Sequence, residues 1–304
     1  MEKAMKNQAH VFKRHLTTLV LLILISITHA SATQFISKLM NSDNGLPSNN
    51  VNQVLQDDDG FMWMATREGL ARYDGYAFVN FTQLAHAPSI DNNIGVLDMD
   101  HANRLLWIRT STFNNLCYDL HHARYVDYTG RNDQYRPYQR MYHAKNNDVW
   151  LYNDLYGARR VRYANNQFNT IDYTPKNRKL TTCKVNRINE DCTGRIWMAT
   201  DKGIYSVDLA GKVTAMSKNA ALYMNVSEDG RQIMFLCLNG QMLVYGSNGK
   251  ILTRQQIPAA MRNYKKVNAD FCWKGQWMLF TDKGAFAYSL KMKSFSQPIY
   301  CQVD

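Results

Sequence analysis
One short phrase recurs six times in this chain, at intervals of about 40 residues. An apolar stretch leads into an acidic or Gly turn. A Trp-centred strand follows, then a Gly-containing turn and a strand with Tyr. The fullest copy runs Val51-Asn52-Gln53-Val54-Leu55-Gln56-Asp57-Asp58-Asp59-Gly60-Phe61-Met62-Trp63-Met64-Ala65-Thr66-Arg67-Glu68-Gly69-Leu70-Ala71-Arg72-Tyr73. Aligned on the aromatic residue, the copies are anchored at Trp63, Trp107, Trp150, Trp197, Phe235 and Trp277. The copy around Trp197 nearly repeats the first: Asp191-Cys192-Thr193-Gly194-Arg195-Ile196-Trp197-Met198-Ala199-Thr200-Asp201-Lys202-Gly203. The copies at Trp107 and Trp150 are looser. In the fifth copy Phe235 stands where the others have Trp.

Within one unit the period is 2. Phe61, Trp63 and Ala65 oppose Met62, Met64 and Thr66, which is the alternation of a strand. Short β-rich runs separated by Asp-Gly, Glu-Gly, Asn-Gly and Lys-Gly read as antiparallel hairpins. Tyr76 to Phe81 supplies a fourth run in the first unit, and Gln167 to Ile171 does so in the third. Four short strands per unit of this length predict an all-β chain, a β-propeller of four-stranded antiparallel blades with about six repeats. A β-sandwich also has closely spaced strands, but it does not impose a Trp at one recurring phase. No long amphipathic helix is expected after residue 32.

Residues 1–32 read as a signal peptide, and 33–304 as the propeller domain. Lys3, Lys6, Lys13 and Arg14 form a basic start, and Leu16 to Ile27 is an apolar run too short to span a bilayer comfortably. Ala30-Ser31-Ala32 is a small-x-small cleavage site. No later apolar run approaches 18 residues, so no membrane span is expected after cleavage, and the mature chain is expected in the periplasm. Removing 1–32 takes away four of 36 basic and one of 25 acidic residues, leaving 32 against 24 and a net charge of +8. Export argues against a nucleic-acid partner. An anionic sugar or surface would suit the charge, although no Lys/Arg run exceeds two residues, which fits a merely solvated surface. The six cysteines, Cys117, Cys183, Cys192, Cys237, Cys272 and Cys301, form no CxxC pair. Most are expected as free, buried thiols. Cys183 and Cys192 flank one strand and are the pair worth measuring.

Asp43-Asn44-Gly45-Leu46-Pro47-Ser48-Asn49-Asn50-Val51, followed by the phrase from Gln56 to Gly75, resembles the two-component regulator propeller repeat. More narrowly, it is similar to the start of the periplasmic sensor of Bacteroides-type hybrid two-component systems. The resemblance covers nearly all of 34–304. It is strong in the first and fourth copies and weak in the third, fifth and sixth. It implies two seven-bladed propellers and an immunoglobulin-like domain outside the membrane, then a transmembrane helix with kinase, receiver and DNA-binding domains. It also implies a glycan-fragment ligand. This chain carries no kinase or receiver motif, so the expectation is a truncated sensor or a stand-alone exported propeller. Against a seven-blade plan, six copies leave an incomplete ring with one uncovered apolar face. The remaining sensor domains or a homodimer are the partners expected to cover it. Thr33 to Met40 could supply a closing strand.

Let strands A to D of each blade run from the centre outward. The A–B and C–D turns then lie at one end, and the B–C turns and D–A crossovers at the other. The A–B turns are tight, whereas crossovers such as Thr82 to Asn93 and Thr174 to Lys184 are long. Long loops on a rigid scaffold commonly carry binding residues. The ligand face is therefore expected at the B–C and D–A end. Its candidates are Asn49, Asn50, Arg67, Asn92, Asn93, Arg109, Asn153, Asp201, Lys202 and Asp282, a sugar-compatible mixture of amides, carboxylates and cations. For each residue taken singly, a turn-former or solvated tip is the favoured reading.

No catalytic set, metal site or cofactor is expected. Asp57-Asp58-Asp59-Gly60 lacks the alternation and distal Glu of a calcium loop. His121-His122 lacks a third ligand, and no nucleophile-elbow pattern is present. The leading reading is a non-catalytic sensing module. The alternatives are a lyase-like exported enzyme and a protein-assembly module.

Overall fold
The structure is a computed structural model. It describes residues 13–19, 37–82, 91–129, 136–262 and 267–296, without the side chains of 268–270. The chain divides into two units, 1–41 and 42–304. In the first, residues 13–19 are helical and residues 37–40 form no strand. The expected closing strand is thus absent from its described half, and residues 33–36 lie outside the described residues. So do the cleavage site and most of the apolar run of the signal. No described helix is long and apolar enough to cross a membrane.

The second unit is an all-β propeller. Its described residues form six four-stranded antiparallel sheets, each in the order A-B-C-D. Blade 1 comprises Val51–Gln56, Met62–Thr66, Gly69–Tyr73 and Phe78–Phe81. Blade 2 comprises Ile94–Asp100, Leu105–Thr110, Asn115–Asp119 and Arg124–Val126. Blade 3 comprises Arg140–His143, Val149–Tyr152, Ala158–Ala164 and Gln167–Tyr173. Blade 4 comprises Val185–Glu190, Ile196–Thr200, Gly203–Val207 and Val213–Ser217. Blade 5 comprises Ala221–Val226, Gln232–Cys237, Gln241–Gly246 and Ile251–Gln256. Blade 6 comprises Val267–Trp273, Gln276–Thr281, Gly284–Ser289 and Ser294–Phe295. Each blade has two apolar faces, and burying them against neighbouring blades is the main drive for assembly.

The acidic turn and the Trp of the repeat form one device. In blade 4, Asp191 Oδ1 accepts from the Thr193 and Arg195 amides, and Oδ2 accepts from Trp197 Nε1 at 2.8 Å. In blade 1, Asp57 Oδ1 accepts from the Asp59 and Phe61 amides, and Oδ2 from Trp63 Nε1 at 2.7 Å. One carboxylate thus closes the A–B turn and satisfies a buried indole N–H. Six residues before Trp107, Trp150 and Trp277 stand His101, Ala144 and Phe271, and the Nε1 atoms of these three Trp have no partner among the described residues.

Two of the six anchors are out of phase. Trp63, Trp107, Trp150 and Trp197 pack toward the following blade. Phe235 packs back on Trp197 of blade 4, and Trp277 packs back into the core shared with blade 5. The strand pairings explain this. Thr66, Cys237 and Thr281 each pair with the first residue of their A strand. Counting back from them places Met234 and Met278, not Phe235 and Trp277, level with Trp63. A one-residue offset in a strand reverses the face.

Five buried clusters join the six blades in sequence. Among the described residues no such cluster joins blade 6 to blade 1. The forward face of blade 6 carries Phe271, Trp273 and Phe280, which are 47%, 58% and 36% exposed. Phe271 and Phe280 stack at 6.0 Å. On the backward face of blade 1, Val54 is exposed, while the outer strand is tied to the leading segment by Asn80 Nδ2 donating to the Gly45 carbonyl at 2.8 Å. Leu46, beside Gly45, is buried.

The five described cysteines are free thiols, with Cys117 and Cys237 buried. Cys301 lies outside the described residues. The strand Val185–Glu190 separates Cys183 from Cys192. At about 3.3 Å per residue that is roughly 20 Å, far beyond the ~7 Å that a disulfide tolerates.

Candidate ligand-binding site
Both ends of the propeller carry contacts between blades. At the A–B end a tip contact bridges every one of the five described junctions. His101 Nδ1 lies 2.8 Å from Asp58, and Arg104 bonds Asp59, between blades 2 and 1. His143 Nδ1 lies 3.3 Å from Asp98, between blades 3 and 2. The Lys145 amide donates to Glu190 at 2.7 Å, the Cys192 amide to the Gly230 carbonyl at 2.9 Å, and the Lys274 amide to Glu228 at 3.1 Å. Individually such exposed contacts are weak. Together they fasten the tight-turn end from blade 1 to blade 6.

His143 makes one of these fasteners responsive to pH. Burial lowers its pKa, but the Asp98 hydrogen bond and the charges of Asp98, Asp100 and Asp148 outweigh it, and the net shift is upward from 6.5. A raised folded value means the contribution is complete below pH 6.5 and fades as pH climbs through the folded value. Melting temperature of the native protein should therefore fall as pH rises above about 6.5. His143→Gln should flatten that slope, and an unchanged slope would refute the assignment.

At the opposite end, the ten sequence candidates divide into two groups. Asn49, Asn50 and Arg67 surround one hollow of about 540 Å³, together with Ser42, Pro47, Ser48 and Glu68. Its walls are fixed by local bonds. The Ser42 amide donates to Asn49 Oδ1 at 2.7 Å, the Asn50 amide to Ser48 Oγ at 3.3 Å, and the Arg67 amide to the Asn50 carbonyl at 3.1 Å. The Arg67 side chain is exposed. Thr66 Oγ1 donates to the Gly69 carbonyl at 2.7 Å and accepts from the Glu68 amide, which sets the B–C turn.

The other candidates are not gathered there. Asn92 Nδ2 donates to the Thr82 carbonyl, and the Asn93 amide to Asp91 Oδ1 at 2.9 Å, so both hold the crossover into blade 2. Arg109 is half-buried. It donates to the Gln139 carbonyl of the next blade, and burial lowers its pKa. Asn153 is buried, accepting from the Leu155 and Tyr156 amides and donating to the Pro137 carbonyl. Asp201 accepts from Thr182 Oγ1 at 2.6 Å. Lys202 is exposed on the turn that Thr200 caps, and Asp282 holds in blade 6 the place of Asp201, with its own contacts. Sequence reasoning passed over Ser42, Ser48 and Glu68. The signal was proximity, since they flank Asn49, Asn50 and Arg67 in the chain.

The described histidines of the propeller unit are His101, His121, His122 and His143, and all lie at the A–B and C–D end. Among the described residues no group of three His, Cys, Asp or Glu side chains is arranged to hold a metal ion. The wall of the blade 1 hollow offers amides, hydroxyls and one ion of each sign. Such a set can form hydrogen bonds with a polar ligand.

Comparisons with known proteins fit this architecture. No curated protein sequence matches the chain. The extracellular domain of the B. thetaiotaomicron protein BT3049, described as a hybrid two component system, superposes with a TM-score of 0.51 at 16% identity, over 88% of this chain and 37% of that one. The corresponding domain of BT4673 gives 0.52 at 17% identity, over 88% and 34%. PorZ of Porphyromonas gingivalis, a surface component of the type-IX secretion system, gives 0.51 at 12% identity, over 79% and 38%. The chain thus spans little more than a third of the length of these structures. Residues 45–68 match the two component regulator propeller family, and the chain around them has the propeller fold of those extracellular domains.

Proposed function
We propose that this chain is a non-catalytic, exported ligand-binding propeller that forms the sensing part of a two-component system and responds to glycan fragments. One observation carries the reading. The B–C and D–A end of blade 1 holds an open polar hollow at Asn49, Asn50 and Arg67, on a frame whose described junctions are all fastened at the A–B end. Ligands commonly settle where loops open on a rigid frame. The placement of the described histidines at the other end supports binding over acid–base chemistry at this face. The likeness of residues 45–68 to a two-component regulator repeat supports a role in sensing, and the basic start with its apolar run supports export to the periplasm.

Calorimetry of the full chain against neutral and acidic oligosaccharides tests the reading. Saturable binding is expected for at least one class, weakened about tenfold by Arg67→Ala, which removes charge-assisted hydrogen bonds. Turnover of an unsaturated or uronic oligosaccharide would favour the enzyme reading instead. The exposed Phe271, Trp273 and Phe280 face is suited to cover by a further sensor domain or a second copy. Light scattering that shows a monomer at all concentrations would exclude the second copy.

A further inference from the structure
Blade 5 lacks a hydrogen bond that blades 1 and 4 make. The A strands of blades 1, 2, 4, 5 and 6 share a bulge after their first residue. In blade 1 the bulged residue is Asn52, whose Nδ2 donates to the Ile94 carbonyl of blade 2 at 2.6 Å. In blade 4 it is Asn186, which donates to the Ala221 carbonyl of blade 5 at 2.8 Å. Blade 5 has Leu222 there. Leucine cannot donate, and at this place a cavity of about 500 Å³ opens beside the B–C turn and the start of the crossover to blade 6.

The cavity has an apolar floor and a polar rim. Leu222, Ile257 and Cys237 contribute the floor, and Asn239, Gln256 and Arg262 the rim. Burial pushes the Cys237 thiol up to about 11, so it is a neutral wall at physiological pH and not a nucleophile. No carboxylate lines the cavity, and Arg262 has no acidic partner among the described residues. Asn239 accepts from the Gln241 amide through Oδ1, which leaves its Nδ2 to donate elsewhere. A planar guanidinium matches a carboxylate through two parallel hydrogen bonds.

We propose that this cavity binds a small carboxylate with an apolar face. The carboxylate pairs with Arg262, the apolar face lies on Leu222 and Ile257, and Asn239 and Gln256 take the remaining polar groups. The volume is within the range of small-molecule sites. The inference goes beyond the glycan reading, because the site is separate from the blade 1 hollow and its ligand need not be a sugar. An acidic sugar and an aromatic acid share the required chemistry.

The test titrates the full chain with D-glucuronate, benzoate, glucose and inorganic phosphate, followed by calorimetry and ligand line-broadening in NMR. At least one carboxylate should bind saturably, about tenfold or more tighter than glucose or phosphate. Arg262→Gln should weaken it by about tenfold or more. Leu222→Asn restores the bulge residue of blades 1 and 4. It should abolish carboxylate binding while leaving the thermal midpoint unchanged or raised. Tighter glucuronate identifies an acidic sugar, and tighter benzoate an apolar acid. The proposal is overturned if neither carboxylate binds the folded protein at millimolar concentration, if phosphate binds equally well, or if binding survives both substitutions. Because Arg67→Ala leaves this cavity intact, failure here and failure at the blade 1 hollow are separately visible.

Discussion
Replacing Asp191 with alanine is expected to destabilise the propeller by about 3 kcal/mol or more, since each buried donor left unpaired costs roughly 1–3 kcal/mol. Asp191 is fully buried, and its carboxylate accepts from two turn amides, the Thr193 hydroxyl and Trp197 Nε1. Alanine removes all four acceptor contacts at once. It strands an indole N–H in the blade 4–5 core, where Trp197 lies 5.3 Å from Tyr245 and 5.9 Å from Phe235. Asp208→Ala provides the control. That residue also shapes a tight turn, but among the described residues its carboxylate accepts only from the Lys212 amide at 2.9 Å, so the loss should stay within about 1 kcal/mol. Urea midpoints followed by circular dichroism would compare the two. Equal losses would show that the Asp–Trp pair is not what holds the blade.

Gly203→Ala should be comparably damaging, for a backbone reason. Gly203 sits at φ +148°, and a Cβ there would lie 2.3 Å from the Ser217 carbonyl oxygen. Neither atom can move without breaking the pairing of strands C and D in blade 4. Strain and overlap together should cost about 3 kcal/mol. Gly75 separates the two contributions. It has φ +99° but nothing within 4 Å of an added Cβ, so Gly75→Ala should cost only about 1 kcal/mol for the backbone conformation. A thermal midpoint for Gly203→Ala no lower than that of Gly75→Ala would contradict the close approach.

Much of this fold was legible in the repeat because its parts are local. Period-2 alternation, Gly turns and the six-residue step from Asp191 to Trp197 all operate within one blade. The phase of Phe235 and Trp277 was not legible. Aligning aromatic on aromatic ignores which face each presents, and face is set by pairing with strand A. The site was less legible still. Asn153 and Arg109 have the residue types of a binding rim, but both are consumed by backbone carbonyls and amides of neighbouring segments. Only three-dimensional proximity separates them from Arg67. Leu222 illustrates the converse, because an apolar residue in an alternating strand attracts no notice until its counterparts Asn52 and Asn186 are seen to bond across blades.

Hydrogen exchange with and without the best oligosaccharide from the calorimetric panel tests the central claim most directly. The account predicts added protection at residues 47–50 and 66–69, which line the open hollow and its turn, and none at the fastened turns 57–60 and 191–194. Protection concentrated at those Asp-Gly turns, or no change anywhere on saturation, would contradict the assignment of the binding face.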